Sequence, residues 1–225
     1  MIRPAAFIVL LSLLVAGCGD GTPAEEQAAN GTAPAGNVAE ARVPEPLPDI
    51  VRVRLETDAG AIVLALDARH APVTTANFVR YVDERRLDGT SFYRAARTPS
   101  APEGEGARGF IQGGIHRNYK RMLPPIAHEP TSLTGLRHGA GAISMARSEE
   151  GAGATGEFFI TASPMPAMDA HGQETGFAAF GRVVEGMDAV KRILAAPTVA
   201  GAGRGAMRGQ MIEKPVRIVS ARRVP

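Results

Sequence analysis

The chain has 225 residues, 44% of them hydrophobic, which is room for one large domain or two small ones with a core. Trp is absent and aromatics are 5%, so the core has to rest on aliphatic side chains and eight Phe. A formal charge of +2 argues against nucleic-acid binding by bulk electrostatics, and a single Cys excludes both an internal disulfide framework and a Cys-based zinc site.

Residues 1–17 place Arg3 ahead of an apolar run from Ala5 to Gly17. A positive residue before a short apolar run has the form of a secretory leader. A membrane-spanning helix needs about 20 apolar residues, more than this run offers. The run ends Val15-Ala16-Gly17-Cys18, and the only Cys stands at the end of the most apolar segment. This resembles the lipobox of bacterial lipoproteins, which implies a leader over 1–18, lipidation of Cys18 and a membrane anchor in the cell envelope, facing the periplasm. In that resemblance an Asp after the cysteine marks inner-membrane retention. Here the position is Gly19, which points to the outer membrane. Residues 19–48 hold almost no large apolar side chain and read as a disordered tether, because they cannot bury enough surface to offset their ordering entropy. The first 48 residues carry a net charge of −3 and residues 49–225 carry +5.

From Asp49 the pattern changes. Val51, Val53 and Leu55 alternate with Arg52, Arg54 and Glu56, which predicts a half-buried strand. Thr57-Asp58-Ala59-Gly60 is a turn and Ala61–Leu66 a second strand, together a hairpin. Pro72 can open a helix that presents Phe78, Val79 and Val82 on one face. Apolar runs at 91–96, 110–112, 142–146, 157–162 and 177–184 follow, then a short helix over 187–194 and a last strand over 216–221. Many short strands with Gly-rich turns and two helices point to a β-barrel or sandwich, and periodicity alone leaves the two open.

Several chemistries lack their residues. There is no G-x-S-x-G elbow and no P-loop. The five His have no H-x-x-x-H spacing and read mostly as solvent-facing or loop residues, so no metal site is expected. Two G-x-G-x-x-G matches, at 104–109 and 151–156, precede strand-like segments where a dinucleotide site needs a helix start.

Four segments are informative in combination: Phe92-Tyr93-Arg94; Phe110-Ile111-Gln112-Gly113-Gly114; Ile143-Ser144-Met145-Ala146-Arg147 with Glu157-Phe158-Phe159-Ile160; and Phe180-Gly181-Arg182-Val183. Ala71-Pro72, Asn77-Phe78 and Asp88-Gly89-Thr90 stand among them in order. The series resembles the cyclophilins, peptidyl-prolyl isomerases of the cyclosporin-binding type, over about Val51–Arg222. The resemblance implies a mainly β fold: a closed eight-stranded antiparallel barrel capped by two α-helices, occupying 49–225. It implies isomerisation of X-Pro bonds in proline-containing polypeptides, without cofactor or metal. Arg94 matches the catalytic arginine and Gln112 the glutamine that orients it. Phe110, Met145, Phe159 and Met168 match the proline pocket, Ala146 and Arg147 the stretch that holds substrate backbone, and Phe177 a pocket histidine. Behind an export leader, such an enzyme assists the folding of exported proteins. A binding module for proline-containing segments of envelope partners is the alternative, and a monomer suffices for either. Phe158 and Phe159, adjacent in a strand, must face opposite ways, and Phe159 is assigned to the pocket. The sequence departs from the pattern in a long Pro/Gly-rich insertion near 98–108, in Tyr93 where many members carry His, and in Gly109 where a pocket aromatic aligns.

Overall fold

The computed structural model describes residues 46–98, 108–116, 118–147 and 154–225. The expected leader, Cys18 and the tether up to 45 lie outside them, as does most of the 98–108 insertion.

Strand β1 (Ile50–Thr57) buries Val51, Val53 and Leu55 and exposes the arginines between them, as the period of two requires. It pairs antiparallel with β2 (Ile62–Asp67), from Ile50 opposite Asp67 to Leu55 opposite Ile62. The remaining strands are β3 (Ser91–Arg97), β4 (Gly109–Gly114), β5 (Ala142–Met145), β6 (Glu157–Thr161), β7 (Ala178–Glu185) and β8 (Met211–Val224). They close into an antiparallel barrel in the order β1-β2-β7-β5-β6-β4-β3-β8. Closure leaves no unpaired sheet edge. It also decides the point that periodicity left open.

Helix α1 (Pro72–Asp83) starts on Pro72 and buries Phe78, Val79, Tyr81 and Val82. Its N-cap residue, Ala71, has no side chain able to accept from the first turn. The carboxylate of Glu129 does so instead, receiving the N–H of Val73 at 3.1 Å and of Thr74 at 2.7 Å. Phe78 enters the core edge-on to Phe158, with centroids 5.2 Å apart, and Phe158 meets Phe92 at 5.7 Å. The second expected helix, Met187–Leu194, buries Ala189, Val190, Ile193 and Leu194. One further turn of helix, Thr131–Thr134, ends on Gly135 at φ +73°. Its four residues are too few to show a helical period in the sequence.

Strand β8 is longer than the 216–221 that alternation predicts, reaching back to Met211. Pro215 has no N–H for the ladder, so it reads as a strand breaker. Here it lies in an irregular stretch: Val216 pairs with Phe92 and Met211 with Arg94, so five residue steps of β8 face two of β3. The β3–β4 ladder is also irregular at this point. Phe92 pairs with Gly113 and Arg94 with Gln112, leaving Tyr93 as an extra residue. A bulge of this kind re-aims the side chains that follow it. Phe92 and Ala95 therefore both point into the core, while Tyr93 and Arg94 both stand on the outer face.

Candidate active site

One row of outward side chains crosses the strands beside this bulge. Arg94 on β3 is opposite Gln112 on β4, Gln112 is opposite Phe159 on β6, and Phe159 is opposite Ser144 on β5. Phe110, two residues before Gln112, shares that face. Gly109 before it is fixed by backbone geometry: its φ is +136°, and a Cβ there would lie 2.0 Å from the carbonyl oxygen of Ala96. The departure from an aromatic at this position is thus a requirement of the local chain path.

The row forms one wall of a groove of about 750 Å³. Arg94, Phe110, Gln112 and Phe159 line it together with Ala146, Arg147, Met168 and Phe177. The expected assignment of Met145 needs correction. Met145 is 2% exposed and belongs to the barrel core, opposite Phe158. Alternation along β5 sends Ile143 and Met145 inward and leaves Ser144 on the groove side. Phe158 and Phe159 divide as their adjacency demands, the first in the core and the second in the groove wall.

Arg94 is half-buried and held from several sides. Nη1 donates to Oε1 of Gln112 at 2.8 Å, Nε to Oε1 of Gln210 at 2.8 Å, and Nη2 to the carbonyl of Ala206 at 3.4 Å. Its Cζ lies 4.9 Å from the centroid of Phe110. Burial lowers its pKa from the usual guanidinium value, while Tyr93 and the Glu157 carboxylate oppose that shift. An arginine stays charged at such a site and has five N–H groups, so two remain to face a ligand after these three bonds.

Gln112 is gripped at both ends of its amide. Its oxygen accepts from Arg94, and its Nε2 donates to the Tyr93 hydroxyl at 2.7 Å and to Glu157 at 3.2 Å. The two residues of the bulge thus fix which way the amide points. Burial, together with the nearby Glu157 carboxylate, holds the Tyr93 pKa well above the ordinary phenol range. His116 stacks on Tyr93 with centroids 4.0 Å apart and bonds Glu157 at 3.0 Å.

The apolar part of the groove is built on Phe159. Phe110 lies 5.2 Å from it and Phe177 5.4 Å, nearly perpendicular. Arg147 covers Phe177 at 5.3 Å and bonds the Thr175 hydroxyl at 3.1 Å. Beneath Phe159 lies His138, its ring nearly parallel at 11° and 5.7 Å. His138 lies in a loop, one of the two settings expected for the histidines, and is 1% exposed. Nδ1 contacts Asp169 at 2.7 Å and Nε2 contacts Ser144 at 3.0 Å. Carboxylate on one side fixes the Nδ1–H tautomer, so the Ser144 hydroxyl donates to Nε2. The sequence did carry a signal for this support, a Ser inside the apolar run 142–146. Nothing in it singled out Gln210.

A fixed, partly desolvated cation beside an apolar pocket, with the Ser144 hydroxyl wholly buried beneath it, suits a reaction that redistributes charge without breaking a bond. Among the described residues no group of acidic, His or Cys side chains could hold a metal ion.

A family pattern described as cyclophilin type peptidyl-prolyl cis-trans isomerase/CLD matches residues 52–223. The peptidyl-prolyl cis-trans isomerase A of Dickeya dadantii is 40% identical over 146 residues, 63% of this chain and 70% of that protein. A peptidyl-prolyl cis-trans isomerase of Acinetobacter baylyi is 31% identical over 171 residues, 75% of this chain and 82% of that protein. The crystal structure of a cyclophilin type peptidyl-prolyl cis-trans isomerase from Cryptosporidium parvum matches with a TM-score of 0.60 at 18% identity, covering 78% of this chain and 98% of that one. That likeness is one of fold.

Proposed function

The chain belongs to the cyclophilin-type peptidyl-prolyl cis-trans isomerase family and is an isomerase, and from that premise we propose that it acts on exported polypeptides in the bacterial envelope, with Arg94 as its catalytic donor.

The peptide C–N bond has partial double-bond character and a rotation barrier of about 18–20 kcal/mol. Catalysis needs a site that favours the twisted bond over the planar one. When the bond twists, the prolyl nitrogen loses conjugation and gains a lone pair. A guanidinium N–H aimed at that nitrogen bonds the twisted form and finds no acceptor in the planar form. The proline ring sits against Phe159, flanked by Phe110, Met168 and Phe177. The main chain at Ala146 and Arg147 holds the flanking residues extended, and Gln112 keeps the guanidinium at the pocket edge. The observation that carries this reading is the Arg94–Gln112 bond at 2.8 Å over the Phe110 ring.

A prolyl-peptide isomerisation assay tests it. Arg94→Ala is expected to lower kcat/KM by about 100-fold, the range seen when one preorganised transition-state donor is removed. Equal activity of variant and parent would defeat the assignment.

The setting rests on the leader-like segment and Cys18. The chain acts as a monomer, lipidated at Cys18 and tethered to the outer membrane on its periplasmic side. Two acyl signals or more hold a protein on a bilayer stably. Cys18→Ser is expected to move the protein from the membrane fraction to the soluble one, and an unchanged distribution would refute the anchor.

A further inference from the structure

We propose that Gln210 is a positioning residue for Arg94, and that the loop carrying it forms the second half of the arginine's holder. The inference rests on the reading of Arg94 as the catalytic donor. A planar guanidinium held at one nitrogen can still swing about that bond. Gln112 supplies one anchor, at Nη1. Gln210 supplies another at Nε, on a different edge of the plane, at 2.8 Å. Two anchors on different edges fix the plane and so fix where the remaining N–H groups point.

The loop is built to keep Gln210 in place. The Gln210 carbonyl accepts from the N–H of Ala95, the residue after Arg94, at 2.9 Å. Its own N–H donates to Met207 at 3.1 Å, and Gly209 closes the loop onto Ala202 at 2.8 Å. Gly203 sits at φ +89°, and a Cβ there would lie 2.5 Å from the Met207 carbonyl oxygen. The packed loop also presents the Ala206 carbonyl to Nη2. Residues 203–210 are therefore fastened both to themselves and to the strand that carries the arginine. Gln210 lies outside the set that lines the groove, whereas Arg204, Ala206 and Met207 line it. It acts on the reaction through Arg94 alone.

The test compares Gln210→Met, of similar length but without the acceptor, with Gln210→Glu, which keeps an oxygen at the same reach. Values of kcat and KM are measured separately by exchange NMR on a prolyl peptide, and melting temperatures are recorded alongside. Gln210→Met is expected to lower kcat about 10-fold with KM unchanged, the order expected for losing one hydrogen bond to a charged group. Gln210→Glu is expected to stay within about 3-fold of the parent. In an Arg94→Lys background, which has no Nε–H at that position, Gln210→Met is expected to cause no further loss, because coupled residues are not additive. A parent-like kcat for Gln210→Met, or the same loss of kcat in both backgrounds, would overturn the proposal. If Gln210→Met does not fold, the parent-like activity of Gln210→Glu and its loss in Gln210→Asn, one methylene too short, carry the same decision. Full activity of Arg94→Ala would instead remove the premise, and that outcome is visible independently of every Gln210 variant.

Discussion

Lowering the pH below about 6.5, the ordinary value for histidine, is expected to weaken the fold through His138. The ring is wholly enclosed, with Asp169 on Nδ1 and Ser144 on Nε2. Burial lowers its pKa from the usual value, and the hydrogen bond and charge of Asp169 offset only part of that. A second proton would have to displace the Ser144 hydroxyl proton from Nε2 and place a cation in a site closed to solvent. The unfolded chain has no such obstacle and protonates His138 at the ordinary value. Below that pH the unfolded state binds a proton that the folded state refuses, so stability falls as pH falls until the depressed folded value is reached. One proton gives a slope of at most about 1.4 kcal/mol per pH unit, hence an upper bound of about 2 kcal/mol over the first 1.5 units. Urea denaturation at a series of pH values, for the parent and for His138→Gln, isolates the effect as the difference between the two curves. The parent is expected to lose stability faster than the variant on acidification. Parallel curves would refute the argument that this ring is held neutral.

Two further outcomes follow from named contacts. Tyr93→Phe removes the hydroxyl that accepts from Gln112, and is expected to cost about 1–2 kcal/mol of stability with a several-fold fall in kcat/KM; an unaltered rate in the prolyl-peptide assay would show that Gln112 does not need this anchor. Glu129→Ala strips the borrowed cap from the start of the first helix, and is expected to lower stability by about 1–2 kcal/mol while leaving kcat/KM unchanged; a chemical-denaturation midpoint equal to the parent's would refute the capping role.

The elements were legible where burial follows a regular period. Val51, Val53 and Leu55 declare the first strand, and Phe78, Val79 and Val82 declare the first helix, because one face of each is fully enclosed. The groove residues were legible through resemblance, since no periodicity distinguishes Arg94 from the other arginines. Met145 was misplaced because the run 142–146 gives no sign of which face of that strand meets the core; only the pairing with Phe158 decides it. His138 and Gln210 act through partners 31 and 116 residues away, Asp169 and Arg94, and neither stands in a local pattern that points across such a distance.

The outward turn of Arg94 is the step that local reading cannot supply. Phe92 and Arg94 are two residues apart, so a regular strand sends both to the same face. With Phe92 at 0% exposure, that face is the barrel core. An arginine there would be desolvated without a carboxylate partner, at a cost of several kcal/mol. The extra residue Tyr93 reverses the alternation and brings Arg94 out beside Gln112. It exists only in relation to strands β4 and β8, whose pairing residues come 18 and 117 positions after Arg94. Tyr93 itself is then left on the outer face with its hydroxyl bonded to the Gln112 amide. One irregularity in the ladder thus both aims the cation and provides the group that orients its glutamine. The identity of the residue at position 93 therefore matters to the site through its hydroxyl, while its presence as an extra residue matters through the register.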